Sequence, residues 1–398
     1  MAFNSIETLA ITSLLLLLGY RVRRHIRPLD RFNIPAPVIG GFLMAVLLLV
    51  AQLRGFPAVK FDLATENPLM ISFFTSIGFG AGVSILRRGG PKLVLLLAIS
   101  SVMAVLQGLI GAGIAVSFGL HPLYGVLTGT VTLSGGPATS MAFAPLFERA
   151  GVAHAATLAM ATAMAGIVLA GLFGAPIATF LINRDHLRGH NAGSPPDNIE
   201  IAIAKPSPGA ADWALTSFKA IAVTLFCMWI GSRLSVAIQA QGVTLPSYIG
   251  AMLVAGVMRN LDDATGWLNL PRAAIELIGT ITLSLFLTMA MMTIDLQALS
   301  GLALPFLINL LAQLVAILLL VIWPVYALLG RNYEAAVTTG GFVGFMLGTT
   351  ANAMAILRSL VEKYGPAPQA FLMVPMVGTF LLDFSNAIII TTFLNLFR

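Results

Sequence analysis

Two short stretches of this chain combine residue types that could hold a small anion. Thr128, Thr130, Thr132 and Ser134 lead into Gly135-Gly136-Pro137-Ala138-Thr139-Ser140. Far downstream, Thr338-Thr339-Gly340-Gly341 precedes Gly344 and Gly348-Thr349-Thr350-Ala351-Asn352. Glycine admits backbone conformations and close approaches that other residues resist. Pro137 withholds a backbone donor and ends a helix. A helix that restarts after such a break presents free N–H groups and the positive end of its dipole, which together suit a carboxylate. Small residues also mediate ordinary helix contacts in lipid, but the same pattern occurs twice, and the recurrence favours a binding site.

A second group could hold a cation. Asp383 lies in the middle of the last apolar stretch, with Asn386 one turn on. A carboxylate at membrane depth is costly and marks function by default, and carboxylate and amide oxygens are hard ligands for a small ion. Ser72, Thr75 and Ser76, with Ser284 and Thr288 later in the chain, could add hydroxyl oxygens, although each alone also reads as an interhelical contact. The five histidines show no metal spacing, and no transition metal is expected.

The elements around these residues are written twice. Pro35 recurs as Pro246, Ser72 as Ser284, Val126-Leu127-Thr128-Gly129 in part as Val337-Thr338-Thr339-Gly340, Gly135 as Gly348, Glu148 as Glu362 and Gly166 as Gly378. The offset between partners stays nearly constant, at slightly more than half the chain. Repeated apolar halves interrupted by Gly and Pro at matching places are the pattern of secondary transporters.

Composition places the chain in a bilayer. Hydrophobic residues make up 58% and charged residues 10% of 398 positions, against about 25% charged in soluble domains. The expected class is an all-α polytopic membrane protein. Apolar stretches fall at roughly 4–20, 34–52, 68–86, 92–118, 155–182, 213–240, 246–260, 270–292, 301–329 and 369–397; all are near the length needed to cross the hydrocarbon core except 246–260, which is short. Residues 1–182 form one five-span copy, 183–212 a hydrophilic linker and 213–398 the second copy. An odd span number inverts the second copy. With both termini outside and the linker in the cytoplasm, 17 of the 22 Lys and Arg residues face inward, as the positive-inside rule demands. The basic excess is therefore topological, and no nucleic-acid partner is expected. Residues 121–149 and 332–363 are left as re-entrant hairpins, each carrying one break. Broken backbone at this depth survives only inside protein or beside a wet cavity. No Gly-Lys pair exists, so no phosphate-binding loop for ATP is present, and no His-Glu-x-x-His or G-x-S-x-G points to an enzyme. Cys227 is the sole cysteine, so an intrachain disulfide is excluded.

These residues resemble the bacterial sodium/glutamate symporters along essentially the whole chain. The likeness is densest in Ile34-Pro35-Ala36-Pro37-Val38-Ile39-Gly40-Gly41, Phe73-Phe74-Thr75-Ser76-Ile77-Gly78, Thr132-Leu133-Ser134-Gly135-Gly136, Leu283-Ser284-Leu285-Phe286-Leu287 and Val374-Pro375-Met376-Val377-Gly378. Pro137-Ala138 and Ala351 depart from the usual family pattern within the two breaks. The resemblance implies inverted five-span halves, re-entrant loops carrying the site, and Na+-coupled uptake of glutamate across a bacterial inner membrane.

The expected function is thus Na+ symport of a small carboxylate by alternating access, with Na+ as coupling ion and no cofactor. The partners are the substrate, Na+ and the bilayer, and a homodimer is a candidate assembly. H+ coupling through Asp383 is the alternative within transport, and a channel-like pore or a membrane scaffold the alternative outside it.

Overall fold

A computed structural model describes residues 2–56, 59–187, 210–241, 245–294 and 303–397. Residues 188–209, most of the expected linker, lie outside the described residues. The first half contains α1 (Ser5–His25), α2 (Arg27–Arg31), α3 (Ala36–Leu53), α4 (Glu66–Gly80), α5 (Val83–Ser117), α6 (Pro122–Val126), α7 (Gly136–Arg149) and α8 (Ala155–Arg184). The second contains α9 (Ala210–Gln239), α10 (Ser247–Thr265), α11 (Arg272–Met292), α12 (Ala303–Leu320), α13 (Tyr326–Leu328), α14 (Tyr333–Leu347), α15 (Thr350–Tyr364), α16 (Pro368–Met376) and α17 (Leu382–Leu396). Single π-helical turns lead from α6 toward α7 (Leu127–Val131), from α12 to α13 (Val321–Val325) and from α16 to α17 (Val377–Leu381). The only strand pairing among the described residues is a two-residue parallel one, Ala2–Phe3 with Lys60–Phe61.

Eight helices among the described residues are long and apolar enough to cross a membrane. The chain is an all-α membrane protein. Two of the ten expected spans fall outside that set for physical reasons. The stretch 68–86 is not one helix. Gly80-Ala81-Gly82 interrupts it, and α4 has 15 residues, about 22 Å at the usual rise. Farther on, Gly90 takes a left-handed φ of 67° ahead of Pro91, so the apolar part of α5 starts there. In α10 the charged residues Arg259 and Asp262 are buried. Arg259 pairs with Asp263 at 2.6 Å, and the Asp262 carboxylate accepts from the N–H groups of Leu268, Asn269 and Leu270 at 2.8–2.9 Å.

Packing repeats along with sequence. Helix α1 packs on α3 as α9 packs on α10, and α3 packs on α11 as α4 packs on α10. The first pair crosses at Gly19 and Gly40, the second at Gly231 and Gly250. A Cβ on Gly19 would run into the Ala36 carbonyl, and one on Gly231 into the Ala251 backbone. The crossing is thus built on the same glycine in both copies, at the offset that relates the other repeated residues. Helices α1 and α9 are the least buried spans and carry apolar side chains on their outer faces. Deeper in, Tyr248 of α10 packs between Phe74 of α4, tilted by 35° at 4.7 Å between ring centroids, and Phe143 of α7, edge-on at 5.3 Å. That ring cluster leans the broken segment on the α4/α10 pair.

The halves are also tied where the linker leaves α8. Asp185 accepts from the Tyr326 hydroxyl at 2.7 Å and from Arg184 Nε at 2.8 Å, while the Arg184 guanidinium lies over the Tyr326 ring. Those hydrogen bonds, Arg184's first, bring the Asp185 carboxyl down to about 2.

Because the α1/α3 and α9/α10 crossings have no room for a side chain, Gly19→Val and Gly231→Val are each expected to destabilise the fold by about 1–3 kcal/mol. The measurement is the melting temperature of purified protein in detergent. An unchanged value would mean that the helices part without cost.

Candidate functional site

Both polar stretches are helix breaks, and the local sequence explains each. In the first, Gly129 leaves helical geometry at φ −107°, ψ −110° inside the π-helical turn. Gly136 then takes a left-handed φ of 65°, and α7 restarts with Pro137 in its first turn, where its missing N–H costs nothing. In the second, α14 stops at Leu347, Gly348 turns the chain at ψ −113°, and Thr349 caps α15 by accepting from Asn352 N–H. A Cβ on Gly348 would press on Ala170, on the Gly344 carbonyl and on Asn352, all within 3.0–3.1 Å.

The breaks meet. A Cβ placed on Gly136 would lie 3.4 Å from the Gly348 carbonyl oxygen and 3.8 Å from Thr349 Cγ2. The starts of α7 and α15, with the free N–H groups of their first turns, therefore adjoin across a distance of van der Waals contact. Two glycines matched between the copies make room for the approach. Gly166 of α8 lies against the Leu347 carbonyl and against Leu133, and a Cβ on Gly378 would come within 3.1 Å of Thr350 Oγ1. The π-helical turn Val377–Leu381 thus joins the second break, two residues before Asp383. Of the residues named from sequence, Gly135, Ala138, Thr349, Thr350 and Ala351 retain access to solvent, whereas Ser134, Gly136, Pro137, Thr139, Ser140, Gly348 and Asn352 are buried. Ser140 donates to the Gly136 carbonyl at 2.6 Å and Asn352 Nδ2 to the Ile167 carbonyl at 2.8 Å, so both brace the breaks.

Asp383 stands in the first turn of α17, half-buried, with no hydrogen-bond or ion-pair partner among the described residues. Asn386 is turned to the first break, donating to the Thr130 carbonyl at 3.1 Å and accepting from the Thr130 hydroxyl at 2.7 Å. The five hydroxyls are in α4 and α11, which pack together. Thr75, Ser76, Ser284 and Thr288 donate to carbonyls of their own helices at 2.6–2.8 Å. A Cβ on Gly279 would strike Ser76 Oγ, so Ser76 marks the crossing of α4 and α11. Ser72 is buried in the same pair. No hydrogen bond joins these hydroxyls to Asp383 or Asn386 among the described residues.

Sequence reasoning passed over three carboxamides that hold the breaks in place. Asn309 of α12 donates to the Thr128 carbonyl at 3.0 Å and to its hydroxyl at 2.7 Å. Gln313, one turn on, donates to the Gln107 main-chain carbonyl at 2.8 Å. Gln107 of α5 bonds to Ser134 and to the Met346 carbonyl. All three are buried. The signal open to a reader of the sequence was an uncharged amide inside an apolar span, twice on one face of α12 at a spacing of four.

Known proteins are similar to this sequence over nearly its whole length. The family model described as "Sodium/glutamate symporter" matches residues 1–366. The sodium/glutamate symporter of Escherichia coli (strain K12) is 36% identical over 394 residues, covering 99% of this chain and 98% of the relative. That of Haemophilus influenzae is 36% identical over 386 residues, covering 97% and 96%. Family model and relatives agree, and the chain belongs to the sodium/glutamate symporter family.

Proposed function

We infer that this protein is a secondary transporter, not an enzyme, that carries glutamate into the cell together with Na+ and uses no other cofactor. The observation that carries the reading is the meeting of two helix breaks at Gly136, Gly348 and Thr349. A glutamate carboxylate bound there would accept from first-turn N–H groups of α7 and α15 and lie at the positive ends of both dipoles. Asp383 lacks a protein partner among the described residues and stands beside the turn that touches Thr350; a bound Na+ would offset the cost of its charge. Ion and substrate would then share one neighbourhood, and binding of either favours binding of the other.

The finer topology is part of the same proposal. The two five-span copies, 1–182 and 213–398, insert with opposite orientation in a bacterial inner membrane, both termini outside and the linker 183–212 in the cytoplasm. The hairpin 121–149 enters from outside and 332–363 from the cytoplasm. Supporting this are the constant offset between repeated residues, the glycine crossings repeated in α1/α3 and α9/α10, and the inward excess of Lys and Arg. The outer faces of α1 and α9 are left for lipid or for a second copy in a homodimer.

Three measurements test the reading. In proteoliposomes, an imposed Na+ gradient is expected to drive accumulation of labelled glutamate, and a pH gradient alone is not. Accumulation driven by the pH gradient instead would transfer the coupling to H+, and indifference to both would remove symport altogether.

Asp383→Asn is expected to abolish Na+-driven accumulation while the protein still purifies as a folded species. Wild-type Na+ dependence in this variant would make Asp383 a structural residue.

Cysteines at Ala138 and Ala351, in a background with Cys227 replaced, test the geometry. An impermeant thiol reagent outside should modify Ala138→Cys, the same reagent inside should modify Ala351→Cys, and glutamate should slow both. Modification of both from one face in every condition would contradict the inverted arrangement.

A further inference from the structure

Gln107 lies well within α5, fully buried, and touches both breaks at once. Its carboxamide oxygen accepts from the Ser134 hydroxyl, one residue before the paired glycines of the first break. Its Nε2 donates at 3.0 Å to the main-chain carbonyl of Met346, two residues before Gly348 in the second. Its own main-chain carbonyl accepts from Gln313 Nε2 at 2.8 Å, and Gly129 packs directly against that carbonyl. These contacts span 27 residues to Ser134 and 239 to Met346, so segments remote in sequence are fixed to one side chain.

We propose that Gln107 is a positioning residue for glutamate: by bonding Ser134 and the Met346 carbonyl together it sets the spacing of the two helix starts that hold the substrate. The inference rests on the reading that the breaks form the substrate site. Its chemistry is specific. One partner offers a proton and the other needs one, and a carboxamide supplies an acceptor and a donor on adjacent atoms. An apolar side chain of equal length supplies neither. Both partners would then be buried without a hydrogen bond, and the breaks would relax away from the geometry that fits the carboxylate. The immediate surroundings (Ser134, Met346, Gln313 and Gly129) carry no charge, so the effect is one of geometry and not of field.

The test compares Gln107→Met, Gln107→Glu and Gln107→Asn in Na+-driven glutamate uptake, with rates normalised to folded carrier. Gln107→Met is expected to raise the glutamate KM about tenfold, as loss of one buried polar contact would, with a much smaller change in maximal rate. Gln107→Glu, assayed at a pH of about 5 where a buried glutamic acid is protonated, presents the same acceptor and donor and should restore the wild-type KM. Gln107→Asn is one methylene short and should resemble Met. If Met does not yield folded protein, the contrast between Glu and Asn decides the matter. A merely structural role would lower the yield of all three without separating their KM values, and equal KM values would overturn the proposal. Protection of Ala138→Cys by glutamate reads the site itself. Protection with an unmoved KM in the Gln107 variants sinks this inference alone, whereas loss of protection sinks the substrate site on which it rests.

Discussion

Lipid cannot hydrogen-bond a peptide group, and that constraint organises this molecule. Each interruption of helix strands carbonyl oxygens and N–H groups where water is scarce, so each must be housed by protein. Here the housing is done by carboxamides. Asn309 donates to the Thr128 carbonyl, Asn386 to that of Thr130 and Gln107 to that of Met346, while Gln313 and Asn352 donate to the mid-helix carbonyls of Gln107 in α5 and Ile167 in α8. In every case the donor is a side chain from a neighbouring helix. A carboxamide does this without charge, so nothing in the support competes with an ion or a carboxylate for the field at the site.

The same constraint explains why the surrounding helices are glycine-rich at their crossings. Amide-length side chains reach a carbonyl only if the backbones approach closely, and Gly129, Gly166, Gly348 and Gly378 each remove the one atom that would hold them apart. Outside this region, α1 with α3 and α9 with α10 use glycine for a different end, joining the outermost helices α1 and α9 to helices that pack inside. The molecule thus has closely crossed outer pairs and, between them, breaks whose shape depends on a few hydrogen bonds. Such an arrangement suits a site that must persist while the bodies around it shift.

Much of this was legible in the sequence. The recurrence of residues at a constant offset could be read because glycine, proline and hydroxyl residues stand out against an apolar background, and the two helix breaks were named from the same marks. The boundary of α4 was not legible, because hydropathy runs on through Gly80-Ala81-Gly82 while the backbone does not. Gln107, Asn309 and Gln313 were missed for a related reason. One amide barely lowers the hydropathy of a long apolar run, and its importance lies in what it faces, which for each of the three includes a partner in the other half of the chain. Thr75, Ser76, Ser284 and Thr288 illustrate the converse: sequence marks a hydroxyl in a span, and only the fold reveals that its proton is returned to its own helix. How the breaks touch depends on the packing of α8 against both of them and of the turn at Val377–Leu381 against the second, which hydropathy and composition do not reveal.

The tie at Asp185 bears on how the two halves find each other. Tyr326 and Arg184 grip that carboxylate just as the first half ends, before the chain enters the linker. Recognition between halves is therefore written into surfaces on either side of the junction, and the covalent connection mainly raises their local concentration. Every contact described between the halves is made by residues outside 188–209. Two halves supplied as separate chains would still carry the residues that make those contacts.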